Sequence, residues 1–229
     1  TKQYSINGSF SADGKTLYFC GLDRPDGYGG EDLYVSHFVN GEWTKAENMG
    51  NGINNETHQS PLSISTDGNR LLVYGSYKTF YGRGDIYYTD RTAKGWDSLK
   101  CFSPPVNSKY FDSDAMITSD GKAIIFVSER PGNAGALHRV GEYFHGDYLG
   151  NTDIFVCLKS DTGWSEPINL GTTVNTPSSE RTPYLHPDGK TLYFSSDGHY
   201  GLGRMDVFKT TRLNDSSWTE WCEPVNLGK

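Results

Sequence analysis

Asp13-Gly14-Lys15-Thr16-Leu17-Tyr18-Phe19 returns letter for letter as Asp188-Gly189-Lys190-Thr191-Leu192-Tyr193-Phe194. Between these copies stand two variants. Asp67-Gly68 precedes Arg70-Leu71-Leu72-Val73, and Asp120-Gly121 precedes Ala123-Ile124-Ile125-Phe126. Each apolar run leads into a Gly-rich stretch and then an Asp that opens a second run. These are Asp32-Leu33-Tyr34-Val35, Asp85-Ile86-Tyr87-Tyr88, Asp153-Ile154-Phe155-Val156 and Asp206-Val207-Phe208. A Trp follows each time, at Trp43, Trp96, Trp164 and Trp221. A Val/Ile-Asn pair closes the first three units, at Ile53-Asn54, Val106-Asn107 and Val174-Asn175. Markers in one fixed order at a spacing of roughly 53 residues define a repeat, and the third unit is about 15 residues longer.

Each unit reads as four short strands. Strand A precedes the Asp-Gly turn, where Gly supplies the positive φ that a tight hairpin requires. The two apolar runs are strands B and C, and strand D starts at the Trp. Apolar spacing of helical period is absent. Strands B and C are apolar on both sides, whereas a sheet with one wetted face would alternate. Both faces therefore need covering, and four-stranded blades stacked side by side provide it. Pro167 and Pro224 in strand D suit an edge strand, where a missing amide donor is tolerated. The expected fold is all-β: a β-propeller of four-stranded antiparallel blades, at 1–54, 55–107, 108–175 and 176–229. Four units make either a closed ring or a segment of a larger propeller. The strands run in sequence order with no exchange to close a ring, which favours the segment.

The chain of 229 residues carries 27 Gly and 15 Tyr against 3 Met, a balance that favours strands and turns. A formal charge of -7 with no basic cluster argues against a nucleic-acid partner. No apolar stretch is long enough for a membrane-spanning helix. No leader opens the chain, although an exported protein loses its leader on maturation. Cys20, Cys101, Cys157 and Cys222 form no CxxC pair and occupy unmatched points of the repeat, so they read as free thiols rather than zinc ligands.

With these residues in view, the repeat resembles the WD40-like propeller repeat of TolB. It resembles more closely the version in OmpA-family envelope proteins of Bacteroidetes-type bacteria. The likeness rests on Ser11-Ala12-Asp13-Gly14-Lys15, Asp23-Arg24-Pro25 and His186-Pro187-Asp188-Gly189-Lys190. It rests also on Ser195-Ser196-Asp197-Gly198-His199-Tyr200-Gly201-Leu202-Gly203 and on the endings Asn169-Leu170-Gly171 and Asn226-Leu227-Gly228. It covers essentially the whole chain. The second unit departs most, with Asn69-Arg70 and Ser76-Tyr77-Lys78 at the usual motif positions. The resemblance implies a non-enzymatic module in the periplasm or at the outer membrane, within a larger OmpA-type or lipoprotein chain.

In a propeller the B–C and D–A connections emerge on one face. The B–C stretches carry Tyr28, Tyr81, His199 and Tyr200 among glycines, residues suited to contact a protein, peptide or glycan. The insertion 134–149 in the third unit adds His138, Arg139, Tyr143, Phe144, His145 and Tyr148 and is the expected interaction loop. The spacing of His138, His145 and Asp147 matches no metal signature, and no metal or cofactor is expected. Asp32, Asp85, Asp153 and Asp206 read as structural residues that accept backbone amides where strand C begins. Arg83-Gly84-Asp85 follows from that repeated Asp. The D–A stretches hold Glu56 and His58, Asp112 and Asp114, and Glu180 and Arg181. A pair of these carboxylates is the alternative, a glycosidase or lyase. No nucleophile elbow, zinc helix, phosphate loop or dinucleotide fingerprint is present. The expected function is a non-catalytic binding or scaffold module.

Overall fold

The computed structural model describes residues 4–82, 84–135, 143–144, 147–148 and 151–228. No helix occurs among them. They divide into two compact units, residues 1–107 and 108–229, each holding two blades.

In the first unit, blade 1 consists of β1 (Tyr4–Phe10), β2 (Thr16–Leu22), β3 (Glu31–Val39), β4 (Glu42–Trp43) and β5 (Glu47–Asn48). The order is β1-β2-β3-β4, with β5 also paired to β3. Strand D is thus two short pieces along one edge of β3. Blade 2 repeats the plan with β6 (Gln59–Ile64), β7 (Arg70–Gly75), β8 (Asp85–Thr92), β9 (Gly95–Trp96) and β10 (Lys100–Cys101).

In the second unit, blade 3 comprises β11 (Asp112–Ile117) and β12 (Ala123–Ser128). The insertion then supplies a small hairpin, β13 (Tyr143–Phe144) and β14 (Asp147–Tyr148), and the blade resumes with β15 (Asp153–Ser160), β16 (Gly163–Trp164) and β17 (Ile168–Asn169). Blade 4 is β18 (Glu180–Leu185), β19 (Thr191–Ser196), β20 (Asp206–Thr211) and β21 (Val225–Asn226). Pro167 falls in the gap between β16 and β17, and Pro224 immediately precedes β21, so neither removes a ladder donor.

The repeated markers have repeated jobs. At the Asp-Gly turn, Asp13 accepts the Lys15 amide at 3.0 Å and the Ser11 hydroxyl at 2.6 Å. Gly14, Gly68, Gly121 and Gly189 all have φ near +70°. The closing Asn imitates a strand. Asn54 Oδ1 accepts the Leu33 amide at 2.8 Å while its Nδ2 donates to the Leu33 carbonyl at 2.9 Å. Asn107 treats Ile86 in the same way, and Asn175 treats Ile154. One side chain thereby satisfies both backbone groups of a buried residue.

Tyr18, Leu33, Ile53, Leu71, Val73 and Tyr87 form the core of the first unit, where the face of blade 1 lies against blade 2. In the second unit β18 packs on β11, β12 and β15. Arg181 donates to Asp114 from two nitrogens, at 2.6 and 3.2 Å, tying strand A of blade 4 to strand A of blade 3. Asp114 sits at a bulge with φ +47°, as does Asn7 of blade 1, which donates to Ser60 of blade 2 at 3.1 Å. The extra residue re-aims a side chain toward the next blade.

Tyr18, Phe19, Ile125 and Phe194 are all buried. Blade 4 departs from the expectation that both faces of strands B and C are covered. Leu192, Phe194, Phe208 and Thr210 are buried, but Val207 and Lys209 on the other face are exposed. Val207 stands where Leu33, Ile86 and Ile154 are fully buried, and Lys209 where Val35 and Val156 stand, three residues past the repeated Asp.

Candidate functional site

The Gly-rich B–C loops are held at their bases by the repeated aspartates. Asp32 Oδ2 accepts the Tyr28 amide, Asp85 Oδ2 that of Tyr81, and Asp206 Oδ2 that of Leu202, each four residues upstream. Asp153 Oδ2 accepts the amide of Ala134 at 2.7 Å, 19 residues upstream. The difference, 19 − 4 = 15, equals the extra length of the third unit. The insertion is therefore grafted onto a neck closed by the same bond as its shorter counterparts. Asn151 Nδ2 donating to the Ala134 carbonyl at 3.2 Å reinforces that neck. Of the insertion residues, Tyr143 pairs with Tyr148 and Phe144 with Asp147 in the small hairpin. His138, Arg139 and His145 lie outside the described residues.

A second repeated device fills the space over the ring pair of strands B and C. The Arg24 guanidinium lies 5.2 Å from the Phe19 ring centre and 4.6 Å from that of Tyr34. Arg130 takes the same place over Phe126 and Phe155. In blade 4 the place belongs to His199, whose ring contacts Phe194 and Phe208 and whose Nε2 sits 2.8 Å from the Val174 carbonyl. Tyr77 of blade 2 is its counterpart, packed on Tyr87 with its hydroxyl donating to the Ile53 carbonyl at 2.7 Å. His199 is thus a half-buried packing plug on Phe194 and Phe208. The Arg of the Asp-Arg-Pro motif has the same structural task.

Three of the D–A carboxylates, Asp112, Asp114 and Glu180, are likewise committed, while Glu56 is exposed. Asp112 accepts the Ser108 amide at 2.6 Å and pairs with Arg130 at 2.7 Å. Burial is the largest single influence on Asp114 and opposes its ionisation, but the Arg181 charge together with the hydrogen bonds from Arg181, the Thr182 amide and Ser113 outweighs it and holds the carboxyl below its usual value. Glu180 is buried and accepts the Thr176 amide at 2.8 Å, the Thr176 hydroxyl at 2.7 Å and the Ser196 hydroxyl at 2.7 Å. Burial, aided by the Asp153 charge, outweighs those bonds and pushes Glu180 up to about 7. Burial also lifts Asp153 to about 6 against its bonds from Ala134 and Asn169. His58 reaches Glu31 at 3.5 Å.

The residue five places after each closing Asn is a marker that sequence reasoning missed. Gln59, Asp112 and Glu180 stand there, and each accepts the amide four residues upstream, from Asn55, Ser108 and Thr176. A shared side-chain oxygen at one offset was the available signal.

An open hollow lies among the described loops of the first unit. It is a cleft of about 640 Å³ lined by Tyr28 of blade 1, by Asn55, Glu56 and Thr57 of the connection to blade 2, and by 75–78, 80, 82, 84 and 85 of blade 2. Tyr28 is 51% and Phe80 68% exposed. Of the other expected contact residues, Tyr81 is 43% exposed beside the cleft, and Tyr200, at 98%, is in the second unit. Phe80 and Lys78 were not anticipated. The adjacent Phe80-Tyr81 pair gives no periodicity that would say which ring lines a cleft.

The cleft depends on a close approach at Gly29. A Cβ there would lie 2.6 Å from the Asn55 carbonyl oxygen, 2.8 Å from the Glu56 carbonyl carbon and closer still to the Thr57 carbonyl. These are backbone atoms and cannot swing aside. Gly29→Ala is expected to push the two loops apart and to cost roughly 1–3 kcal/mol. A lowered melting temperature, with amide shifts concentrated at residues 26–32 and 54–58, would show this. An unchanged melting temperature would count against it.

No protein-family model and no curated protein matches the chain. Solved structures do. One is the periplasmic gluconolactonase of Pseudomonas aeruginosa, at 14% identity and a TM-score of 0.50, with 97% of this chain and 57% of that one covered. Another is an alpha-L-arabinofuranosidase from Lactobacillus brevis, at 13% identity and 0.57, with 96% and 72% covered. The chain thus spans a little over half the length of the gluconolactonase. At these identities the likeness speaks to fold alone, and with the four blade sheets it identifies the chain as four antiparallel blades of β-propeller type.

Proposed function

We propose that this propeller is a non-catalytic binding module whose contact surface includes the cleft beside Tyr28 and Phe80. The supporting observation is the contrast between that cleft and the carboxylates. The cleft offers exposed rings on loops pinned by buried aspartates, a shape formed before any partner arrives. Of the acids that a glycosidase or lyase mechanism would recruit, Asp112, Asp114 and Glu180 are engaged in holding backbone amides or cations. Of the two carboxylates lining the cleft, Asp85 is buried on the amides of Tyr81 and Gly82, and Glu56 alone is exposed. Hydrolysis by paired carboxylates needs a second ionisable partner across the scissile bond.

The bacterial envelope is the compartment this reading assigns, and its support is the resemblance of the repeat to propellers of TolB and OmpA-family proteins. The activities in the names of the two structural neighbours belong to those proteins. The test is turnover. A panel of chromogenic glycosides and aldonolactones is expected to give no rate above the uncatalysed one. A rate that disappears in Glu56→Gln would overturn the proposal in favour of an enzyme.

A further inference from the structure

One side of blade 4 and the opposite side of blade 1 expose positions that their counterparts bury, and from this we infer that blade 1 of one copy of this chain packs on blade 4 of another. The joint is already built once in each unit. Strand A of the second blade, β6 or β18, lies across strands A, B and C of the first. A side chain of the first blade receives its backbone. Ser9 Oγ accepts the Ile64 amide at 3.1 Å, and Met116 Sδ accepts that of Leu185. A bulge residue with φ +47° adds a polar bond: Asn7 donates to Ser60, and Asp114 accepts the Thr182 amide.

The receiving face recurs on blade 4. Tyr184 pairs with Tyr193 in the register that joins Ser9 to Tyr18 and Met116 to Ile125. Met116 is buried, whereas Tyr184 is 50% exposed. Val207 is exposed where Leu33 and Ile154 are fully buried, and Leu227 where Leu170 is. The bulge is present too. Thr182 has φ +49°, which a β-branched residue rarely adopts, and it is exposed. The docking face recurs on blade 1, where Phe10 is 56% exposed in the place of buried Leu185, and Trp43 is exposed in the place of buried Trp221. A repeat that ends in water carries a polar outer face, but rings and aliphatic side chains dominate these two. Both halves of the joint stand on one chain, so a second copy supplies what each half lacks. The rings match as well. In the first unit Trp96 meets Tyr18 edge-on at 5.9 Å, with the Arg91 guanidinium 5.7 Å from the Trp96 ring centre. The head-to-tail joint sets Trp43 of one copy against Tyr193 of the other, and Lys209 supplies the cation. The joint uses neither Tyr28 nor Phe80, so it stands whatever the cleft binds.

Sedimentation equilibrium over micromolar to submillimolar concentrations is the test. The mass of the wild-type chain is expected to rise with concentration above that of one copy. Phe10→Arg and Tyr184→Arg should each weaken association by about tenfold or more. An equimolar mixture of the two variants should associate again, because Phe10→Arg keeps an intact blade 4 and Tyr184→Arg an intact blade 1. Both side chains are exposed, so dilute samples of the variants are expected to melt at the wild-type temperature. A wild-type chain that sediments as one copy throughout overturns the inference, as does association that neither variant weakens. Loss in only one variant would mean that like faces meet, and it refutes the head-to-tail joint. A mixture that fails to associate refutes it too.

Discussion

Asn175→Ala is expected to destabilise the second unit by roughly 3–5 kcal/mol, a large share of the total stability of a domain this size. The estimate comes from what the truncation strands. Asn175 Oδ1 accepts the Ile154 amide at 2.8 Å and Nδ2 donates to the Ile154 carbonyl at 3.0 Å. Ile154 is completely buried, so neither group can turn to water. Leaving one buried backbone group unsatisfied costs about 1–3 kcal/mol, and here there are two. A third bond, from Asn175 Nδ2 to Asn169 Oδ1 at 2.8 Å, is lost as well. Asn169 in turn donates to Asp153 Oδ2 at 2.6 Å, so the Asp that closes the neck of the insertion loses a supported neighbour. Asn175→Asp separates the effects. It keeps an acceptor for the amide but sets a carboxylate against the Ile154 carbonyl, so near neutral pH it should be at least as damaging as Ala. Denaturant unfolding gives the magnitude, and hydrogen exchange at the Ile154 amide gives the location. A loss below about 1 kcal/mol would show that the side chain merely fills space.

These bonds explain why the fold could be read from the chain. The Asn and Asp markers of the repeat make bonds at fixed sequence offsets. The Asn reaches the strand C residue 21 places earlier in all three units that have one, and in three units the Asp reaches the amide four places back. A bond at a constant offset constrains residues at a constant spacing, and that is visible without coordinates. The cleft was less legible because three separate loops build it, and nothing in the spacing of Tyr28, Glu56 and Phe80 announces that they meet. The packing role of His199 was hidden for a related reason. An aromatic in a Gly-rich loop looks available, and only the rings of Phe194 and Phe208 beneath it reveal the slot that Arg24 and Arg130 fill elsewhere. The exposed face of blade 4 was legible only in part, at Lys209, where a charge replaces the Val of blades 1 and 3, because Val207 on the same face is as apolar as its buried counterparts.

Glu180→Gln is expected to raise stability at pH 8 by on the order of 3 kcal/mol and to change it little near pH 4. Burial holds the Glu180 carboxyl at about 7 in the folded chain, against an ordinary value of 4.5. The folded state therefore prefers the protonated acid. Its contribution is fully present below pH 4.5, declines as pH rises from there to about 7, and stays lost above that. Asp153, lifted from 3.8 to about 6, acts in the same sense over a lower window. The wild-type chain should consequently melt at a higher temperature at pH 5 than at pH 8, with these two buried acids opposing the usual trend of paired carboxylates. Blade 2 shows that an amide serves at this position. Gln59 accepts the Asn55 amide at 3.0 Å while its Nε2 donates to the Thr57 hydroxyl at 2.8 Å. Gln at 180 can accept the Thr176 amide in the same manner and donate to the Thr176 or Ser196 hydroxyl, both of which can reverse their protons. Melting curves at half-unit steps from pH 4 to 9 would measure the effect. The variant should retain only the slope that Asp153 supplies below pH 6. If Glu180→Gln lowers stability at pH 8, the ionised carboxylate and its three donors are worth more than the burial of the charge costs. The acid would then be a strut, and the pH dependence assigned to it would have to come from elsewhere in the blade.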